Sequence, residues 1–191
     1  MDDDQLPLAG KNILLGVTGG IAAYKAAGLA SRLKQMGANL DVVMTRNATE
    51  FIAPLTFQTL VKSQVFVDMW APVRVWEVEH VAMADRCHLA LIAPATANII
   101  GKIAGGIADD MLSTVIMAIN LRCPVVIAPA MNVNMYENPI VQANIAKLTG
   151  LGYRFVEPDI GRLAEGYEGK GRFPKDETIV AEVQTALGLR G

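Results

Sequence analysis

The chain has 191 residues, of which 52% are hydrophobic and 19% are charged, and its formal net charge is −2. This length suits one domain with a full hydrophobic core. The weak net charge argues against a nucleic-acid partner, and apolar runs such as residues 89–97 are much shorter than the roughly 20 residues of a membrane-spanning helix.

The cysteine content indicates a reducing compartment. Cys87 and Cys123 are too few and too far apart in the sequence to predict a disulfide framework or a zinc site. No signal segment is recognised at the start of the chain. We therefore expect a cytoplasmic protein without a metal site, with a disordered tail over residues 1–10 and a single domain over residues 11–191.

Buried strands alternate with helical patterns along this domain. An apolar run at residues 12–17 is followed by a Thr-Gly-Gly turn and by an apolar period of three to four over residues 21–36, which ends at Gly37. The strand pattern recurs, and its later copies lie at residues 40–44, 89–93, 125–128 and 153–156. The alternation predicts an α/β fold of the Rossmann-like or flavodoxin-like type, an open parallel sheet with helices on both faces in three α/β/α layers. Ligands of such sheets bind at the carboxyl ends of the strands.

Glycine marks two further boundaries. Gly105 and Gly106 divide residues 98–120 into two predicted helices, because paired glycines weaken a helix interior. Residues 158–174 are dense in glycine and charge, which predicts a mobile flap before a last helix at residues 176–187.

The first two strand ends suggest a phosphate site. Gly19 and Gly20 would let backbone N–H groups approach an anion, although a tight turn alone explains paired glycines equally well. The second strand ends at Thr45 and Arg46, where a dinucleotide-binding domain normally has a carboxylate, and Gly-x-Gly-x-x-Gly is absent. A hydroxyl and a cation suit a monophosphate better than NAD. Lys25 is interpreted as a helix-surface charge beyond the first turn.

Two further motifs follow later strands. Residues 94–98 read Pro-Ala-Thr-Ala-Asn, and residues 129–136, which begin 35 positions later, read Pro-Ala-Met-Asn-Val-Asn-Met-Tyr. They resemble the Pro-Ala-Ser-Ala-Asn and Pro-x-Met-Asn-x-x-Met-Trp motifs of the flavin-dependent cysteine decarboxylases. Residues 19–25 also resemble the first-turn motif of that family. The resemblance extends from about residue 11 to residue 187 and is greatest to the phosphopantothenoylcysteine decarboxylases.

This resemblance implies FMN as the cofactor and a set of site residues. The implied FMN contacts are Gly19, Gly20, Ile21, Thr45, Phe51, Thr96, Ala97, Asn98 and Ala130. The implied substrate contacts are Asn98, Asn132, Met135, Ala164 and Arg172. From the residues alone, Asn98 and Asn132 also suit helix caps, and Asn138 before Pro139 is predicted to be one.

The position of one histidine in the sequence adds it to the implied site residues. A lone histidine at a helix start, such as His80, is more commonly a cap or solvated. However, His80 precedes Pro94 by fourteen residues, as the family's active-site histidine does. The resemblance therefore implies that His80 and Asn132 are catalytic, with His80 accepting a proton. His88 is interpreted as structural.

The implied reaction is the oxidative decarboxylation of a cysteinyl carboxylate, which converts 4'-phospho-N-pantothenoylcysteine to 4'-phosphopantetheine in coenzyme A biosynthesis. Oxidation of the thiol to a thioaldehyde places the carboxylate β to C=S, so that loss of CO2 leaves a stabilised ene-thiolate. The implied partners are other copies of the chain, as a trimer or a multiple of trimers with the flavin between neighbours, and a separate phosphopantothenate–cysteine ligase. Trp70, Pro72 and Trp76 would contribute to subunit contacts or pack locally.

The flap departs from the family pattern at one residue. Residues 163–166 resemble a Leu-Ala-x-Gly motif, but the family's cysteine at x is Glu165 here. Three interpretations stay open. Glu165 is the catalytic acid, or the reaction stops at the ene-thiol, as in peptidyl-cysteine decarboxylases of the lanthipeptide type, or the chain is a non-catalytic flavin-binding regulatory protein. A prenyl-flavin synthase has the same architecture but different turn motifs.

Overall fold

The computed structural model describes residues 6–70, 79–162, 166 and 168–189. Its strands are β1 (Asn12–Val17), β2 (Asn39–Met44), β3 (Val65–Phe66), β4 (Leu89–Ala95), β5 (Val125–Pro129), β6 (Arg154–Phe155), β7 (Asp159–Arg162) and β8 (Glu168–Arg172). Its α-helices are α1 (Lys25–Gln35), α2 (Pro54–Val61), α3 (Glu79–Arg86), α4 (Ala97–Gly105), α5 (Met111–Ile119), α6 (Val133–Tyr136), α7 (Pro139–Gly150) and α8 (Asp176–Ala186). Short 3₁₀ helices, Ile21–Tyr24 and Arg46–Glu50, follow β1 and β2.

Six strands form one parallel sheet in the order β3-β2-β1-β4-β5-β6. This is the doubly wound order of the Rossmann fold, in which the direction of winding reverses between β1 and β4. The predicted Rossmann-like sheet is therefore confirmed. The reversal opens a crevice outside the carboxyl ends of these two strands.

Both faces of the sheet are covered by helices. Alternate residues of β1 point to opposite faces: Ile13 and Leu15 pack in an apolar cluster with α1, α2 and α8, whereas Leu14 packs in a second cluster with α3, α4, α5 and α7. Because neither face meets water, the strands appear in the sequence as continuous apolar runs. The predicted three layers are confirmed.

Most predicted boundaries lie close to the observed ones, but some elements were not predicted. The runs at residues 12–17, 40–44, 89–93 and 125–128 are β1, β2, β4 and β5, while residues 153–156 contain only the two-residue β6. The glycine pair separates α4 from α5 as predicted, and Gly106 ends α4 with a φ of +69°, which glycine adopts without steric cost. The sequence analysis did not predict α2 and β3, and β3 is too short for a periodic pattern.

The predicted disordered tail of residues 1–10 is too long. Leu8 is fully buried, and its N–H donates to the carbonyl oxygen of Met36 at 2.8 Å. Burial of this apolar side chain stabilises the turn that precedes β1. Residues 6–10 thus belong to the domain, and residues 1–5 lie outside the described residues.

Residues 158–174 contain a β-hairpin in the segment that was predicted to be a mobile flap. Strands β7 and β8 pair antiparallel, with Ile160 opposite Lys170. Strand β8 also contacts the turn after β5, because Met131 N–H donates to the carbonyl oxygen of Gly171 at 3.0 Å. Residues 163–165 and 167 lie outside the described residues, and the mobility of the flap stays a prediction.

The two cysteines are neighbours in space despite their separation in the sequence. Cys87 precedes β4 and Cys123 precedes β5, at the amino ends of two paired strands. A hydrogen bond between the two thiols, together with burial, raises the pKa of Cys87. Both cysteines are free thiols.

The described residues show neither a metal-ion cluster nor a membrane-spanning helix. Within these residues no group of histidine, cysteine, aspartate and glutamate side chains is arranged to hold a metal ion. Of the helices that the described ranges contain, none has both the length and the apolar character to cross a membrane.

Candidate active site

A cavity of about 940 Å³ lies across the reversal between β1 and β4, at the carboxyl ends of β1, β2, β4 and β5. The predicted site residues that line it are Gly19, Gly20, Ile21, Thr45, Thr96, Ala97, Asn98, Ala130, Asn132, Met135 and Arg172. The sequence analysis did not assign to the site the lining residues Thr18, Ala22, Tyr24, Lys25, Asn47, Lys102, Asp110, Met131, Gly171 and Phe173. The cavity thus brings together all three motifs.

The turn after β1 forms one end of the cavity. Gly20 is extended, and its carbonyl oxygen accepts the Ala23 N–H of the following 3₁₀ helix at 2.9 Å. A Cβ at Gly19 would overlap Asn47 in the turn after β2. Glycine at position 19 therefore lets the turns after β1 and β2 pack together. The sequence suggests that it also lets an anion approach the backbone.

Two basic side chains lie at this end of the cavity. Arg46 follows β2 and is exposed, and Lys25 also lines the cavity. As interpreted from the sequence, Lys25 follows the first turn, because residues 21–24 are 3₁₀ and α1 begins at Lys25, but the sequence analysis did not predict that it lines the cavity. Its Nζ lies 5.9 Å from the centroid of the Phe173 ring. Two positive charges beside an open turn suit an anionic ligand.

The turn after β4 presents Asn98 to the cavity. Thr96 is the N-cap of α4, and its Oγ1 accepts the Ile99 N–H at 3.5 Å. The alternative that Asn98 is the cap is therefore wrong. Asn98 is an exposed residue of the first helical turn, and it lines the cavity.

The turn after β5 presents Asn132, which is both a cap and a cavity residue. Its Oδ1 accepts the N–H of Asn134 at 2.8 Å at the start of α6, so that the side-chain amide is held in one orientation. Asn138 caps α7 by accepting the Ile140 N–H at 2.9 Å, with Pro139 at the first helical position as predicted.

An ion-pair cluster, which the sequence analysis missed, lies where α4 and α5 meet the cavity. Lys102 Nζ lies 2.6 Å from one carboxylate oxygen of Asp109 and 2.6 Å from one of Asp110. Burial alone would raise the pKa of Asp110, but hydrogen bonds from Lys102 and Ser113 outweigh it and lower that pKa. The available sequence signal was the Asp-x-x-Ser capping box at the start of α5.

Four predicted site residues do not line this cavity or cannot be placed. Phe51 is 47% exposed after the second 3₁₀ helix, and His80 lies on α3, which packs against α5; neither lines the cavity. Ala164 and Glu165 lie outside the described residues. The predicted base therefore does not line the cavity that collects most of the other predicted site residues.

Comparison with known proteins identifies the family. The family model described as Flavoprotein matches residues 3–188. The chain is 51% identical over 173 residues to the coenzyme A biosynthesis bifunctional protein CoaBC of Bacillus subtilis (strain 168), covering 91% of this chain and 42% of that protein. It is 42% identical over 177 residues to a probable phosphopantothenoylcysteine decarboxylase of Streptococcus mutans serotype c (strain ATCC 700610 / UA159), covering 93% of this chain and 99% of that protein. The chain thus spans less than half of the bifunctional relative.

Two solved structures have the same fold. A PPC decarboxylase mutant complexed with pantothenoylaminoethenethiol superposes with a TM-score of 0.84 at 29% identity, over 92% of this chain and 97% of that one. The FMN-dependent cysteine decarboxylase SpaF superposes with a TM-score of 0.79 at 31% identity, over 94% and 96% of the two chains. The family model, the relatives and the fold agree, and the chain belongs to the Flavoprotein family.

Proposed function

We propose that this chain is an FMN-dependent decarboxylase that converts 4'-phospho-N-pantothenoylcysteine to 4'-phosphopantetheine in coenzyme A biosynthesis. One observation carries the proposal. A single cavity collects the first turn, the turn at residues 94–98 and the turn at residues 129–135, although their strands are far apart in the chain. The name of the Streptococcus mutans relative supports this substrate, and the name of the Bacillus subtilis relative supports a role in coenzyme A biosynthesis.

The donor set of the cavity fits FMN. The turn at residues 18–20, the Thr45 hydroxyl and the cations of Lys25 and Arg46 suit a phosphate monoester. The cavity volume of about 940 Å³ is near the upper end of the range of about 300–1,000 Å³ for small-molecule sites. That volume suits a cofactor and a substrate together. When bound, FMN would supply the two-electron oxidation of the substrate thiol.

The side chains of the cavity would orient the substrate. The Asn132 amide, held by Asn134 N–H, is assigned to a hydrogen bond with the substrate carboxylate, and Arg172 supplies a cation at the hairpin side. Once the thiol is oxidised, the carboxylate is β to C=S, and the electron pair of the breaking C–C bond moves onto sulfur as CO2 leaves. Orienting this bond is the task of the protein.

His80 is assigned as the proton acceptor for the substrate thiol, and this assignment requires a neighbouring subunit. The residue lies on α3 and does not line the cavity of its own chain. We propose a trimer, or a multiple of trimers, in which α3 of one subunit lies beside the cavity of the next. Large apolar side chains near the first two turns support such contacts, since Ile21, Phe51 and Leu55 are exposed by 63%, 47% and 68%.

The proposed substrate also indicates a partner enzyme and a cellular compartment. The substrate is a phosphorylated cysteinyl conjugate, so a phosphopantothenate–cysteine ligase is the partner that supplies it. The two free thiols suit the reducing cytoplasm.

The direct test is anaerobic turnover of phosphopantothenoylcysteine by the FMN-loaded protein, followed by mass spectrometry. We expect loss of CO2 with formation of phosphopantetheine. Asn132→Ala is expected to reduce the rate by about 10²-fold or more, as for loss of a substrate-orienting group. Asn134→Ala is the matched control, because its side chain does not line the cavity and the backbone N–H that orients Asn132 is retained.

The products separate the remaining possibilities. A product that has lost CO2 and two hydrogens would mean that the reaction ends at the ene-thiol, and Glu165→Cys would then be expected to restore phosphopantetheine. Protein that binds FMN but releases no CO2 from this substrate would contradict the proposed activity.

A peptidyl-cysteine decarboxylase is the second candidate. Glu165 in place of the family's flap cysteine and the similarity to SpaF favour it. Release of CO2 from a peptide with a carboxyl-terminal cysteine, without turnover of phosphopantothenoylcysteine, would establish this activity instead.

A further inference from the structure

The carboxyl end of β4 leaves its pairing with β1 just before the cavity. The parallel register of β1 and β4 ends at Gly16 opposite Ile92. Strand β4 then carries one extra residue relative to β5, since Ile92 pairs with Ile127 but Ala95 pairs with Pro129. Pro94 lies in this irregular stretch and has no N–H to donate. The backbone ladder between β1 and β4 is therefore interrupted where the cofactor site begins.

A buried side chain bridges the interruption. Thr18 is 1% exposed, and its Oγ1 donates to the carbonyl oxygen of Pro94 at 2.7 Å. Thr18 Oγ1 also accepts the Thr96 N–H at 3.0 Å. In the register of the two strands, Thr18 is the residue that would stand opposite Pro94. One hydroxyl thus takes the place of the missing ladder bonds, with both its donor and its acceptor used.

The bridge is the first link of a longer hydrogen-bonded series, which we call the floor. Beyond Thr96, Ala130 N–H donates to the carbonyl oxygen of Ala95, and Met131 N–H donates to that of Gly171, both at 3.0 Å. Thr18, Thr96, Ala130, Met131 and Gly171 all line the cavity. The floor therefore joins the first turn to the turns after β4 and β5 and to β8.

We propose that Thr18 is a positioning residue that fixes the turn at residues 94–98 relative to the first turn, and so sets the spacing between these two parts of the FMN site. This inference rests on the proposed FMN site. Without the hydroxyl, the carbonyl oxygen of buried Pro94 and the N–H of half-buried Thr96 would lose these partners, and the start of α4 would move to recover hydrogen bonds.

The test compares Thr18→Val, which keeps the shape and removes the hydroxyl, with Thr18→Ser, which keeps the hydroxyl. We expect Thr18→Val to raise the FMN dissociation constant by about tenfold or more and to shift the visible absorption bands of the bound flavin. Thr18→Ser is expected to stay within about threefold of the unmodified protein with an unchanged spectrum. Thr185→Val, on the exposed face of α8, is the matched control away from the cavity.

The outcomes distinguish this inference from the proposed function. An unmodified protein that binds no FMN would refute the FMN site itself. FMN binding and spectra that are the same in Thr18→Val and the unmodified protein would refute the role of Thr18 and leave the proposed function standing. Should Thr18→Val fail to fold, Thr18→Cys replaces it, because a thiol is close to serine in size but bonds weakly. Equal FMN binding by the Cys and Ser variants would overturn the inference.

Discussion

At the scale of single residues, Asp110 connects the cavity wall to the pH dependence of stability. Its carboxylate accepts from Lys102 Nζ at 2.6 Å and from Ser113 N–H at 2.8 Å. These hydrogen bonds more than offset the effect of burial and lower the pKa of Asp110. The unfolded chain therefore binds the proton more tightly than the folded one. The resulting stabilisation is complete above the unfolded pKa, about 3.9, and is lost as the pH falls through the lower folded pKa.

We therefore expect Asp110→Asn to lower the free energy of unfolding at about pH 7 and to cost progressively less as the pH falls below about 4. Asparagine keeps the helix cap, so the change isolates the charge. Urea unfolding of the FMN-free protein, at about pH 7 and at a pH below about 4, measures the effect. Asp109→Asn is the control, because Asp109 meets the same lysine with a more exposed side chain. A deficit for Asp110→Asn that is equal at both pH values would contradict the linkage.

At the scale of elements, β8 is fixed to the turn after β5 by a glycine. Gly171 has a φ of +151°, and a Cβ there would overlap the carbonyl oxygen of Met131. We expect Gly171→Ala to destabilise the protein by about 1–3 kcal/mol more than Gly152→Ala. Gly152 also has a positive φ, +101°, but its Cβ would meet no atom within 4 Å, so that variant measures the backbone cost alone.

Hydrogen exchange reports the same contact locally. The Met131 amide donates to Gly171 and is expected to exchange faster in Gly171→Ala than in Gly152→Ala. Unchanged protection of this amide would mean that β8 holds its place without the glycine.

The elements also show how much of the fold and of the cavity can be predicted from the sequence. The parallel sheet, most of its helices and about half of the residues that line the cavity were predictable, because continuous apolar runs identify buried strands and strand ends converge at one edge. The place of Lys25 on the cavity wall was not predicted, because apolar periodicity does not separate a 3₁₀ turn from the α-helix that follows it. Thr18 and the Lys102 cluster were missed because their roles depend on a strand irregularity and a helix-to-helix contact, which leave little trace in local spacing.

At the scale of the whole molecule, the separation of His80 from the cavity predicts an oligomer. The FMN-loaded protein is expected to have a mass of three times 20.5 kDa, or a multiple of that, by light scattering during size exclusion. Burial of the exposed apolar side chains near the first two turns would stabilise the assembly. A flavin-loaded monomer with full decarboxylase activity would show that the base comes from the same chain.

The location of the two cysteines has a consequence for self-oxidation. Cys87 and Cys123 are the only cysteines of the chain, and both lie at the amino ends of strands whose carboxyl ends form the cavity. Within one subunit, a cofactor that oxidises thiols would thus be separated by the length of the sheet from Cys87 and Cys123. Neither of these thiols would compete with the substrate for the oxidant in the cavity of its own subunit.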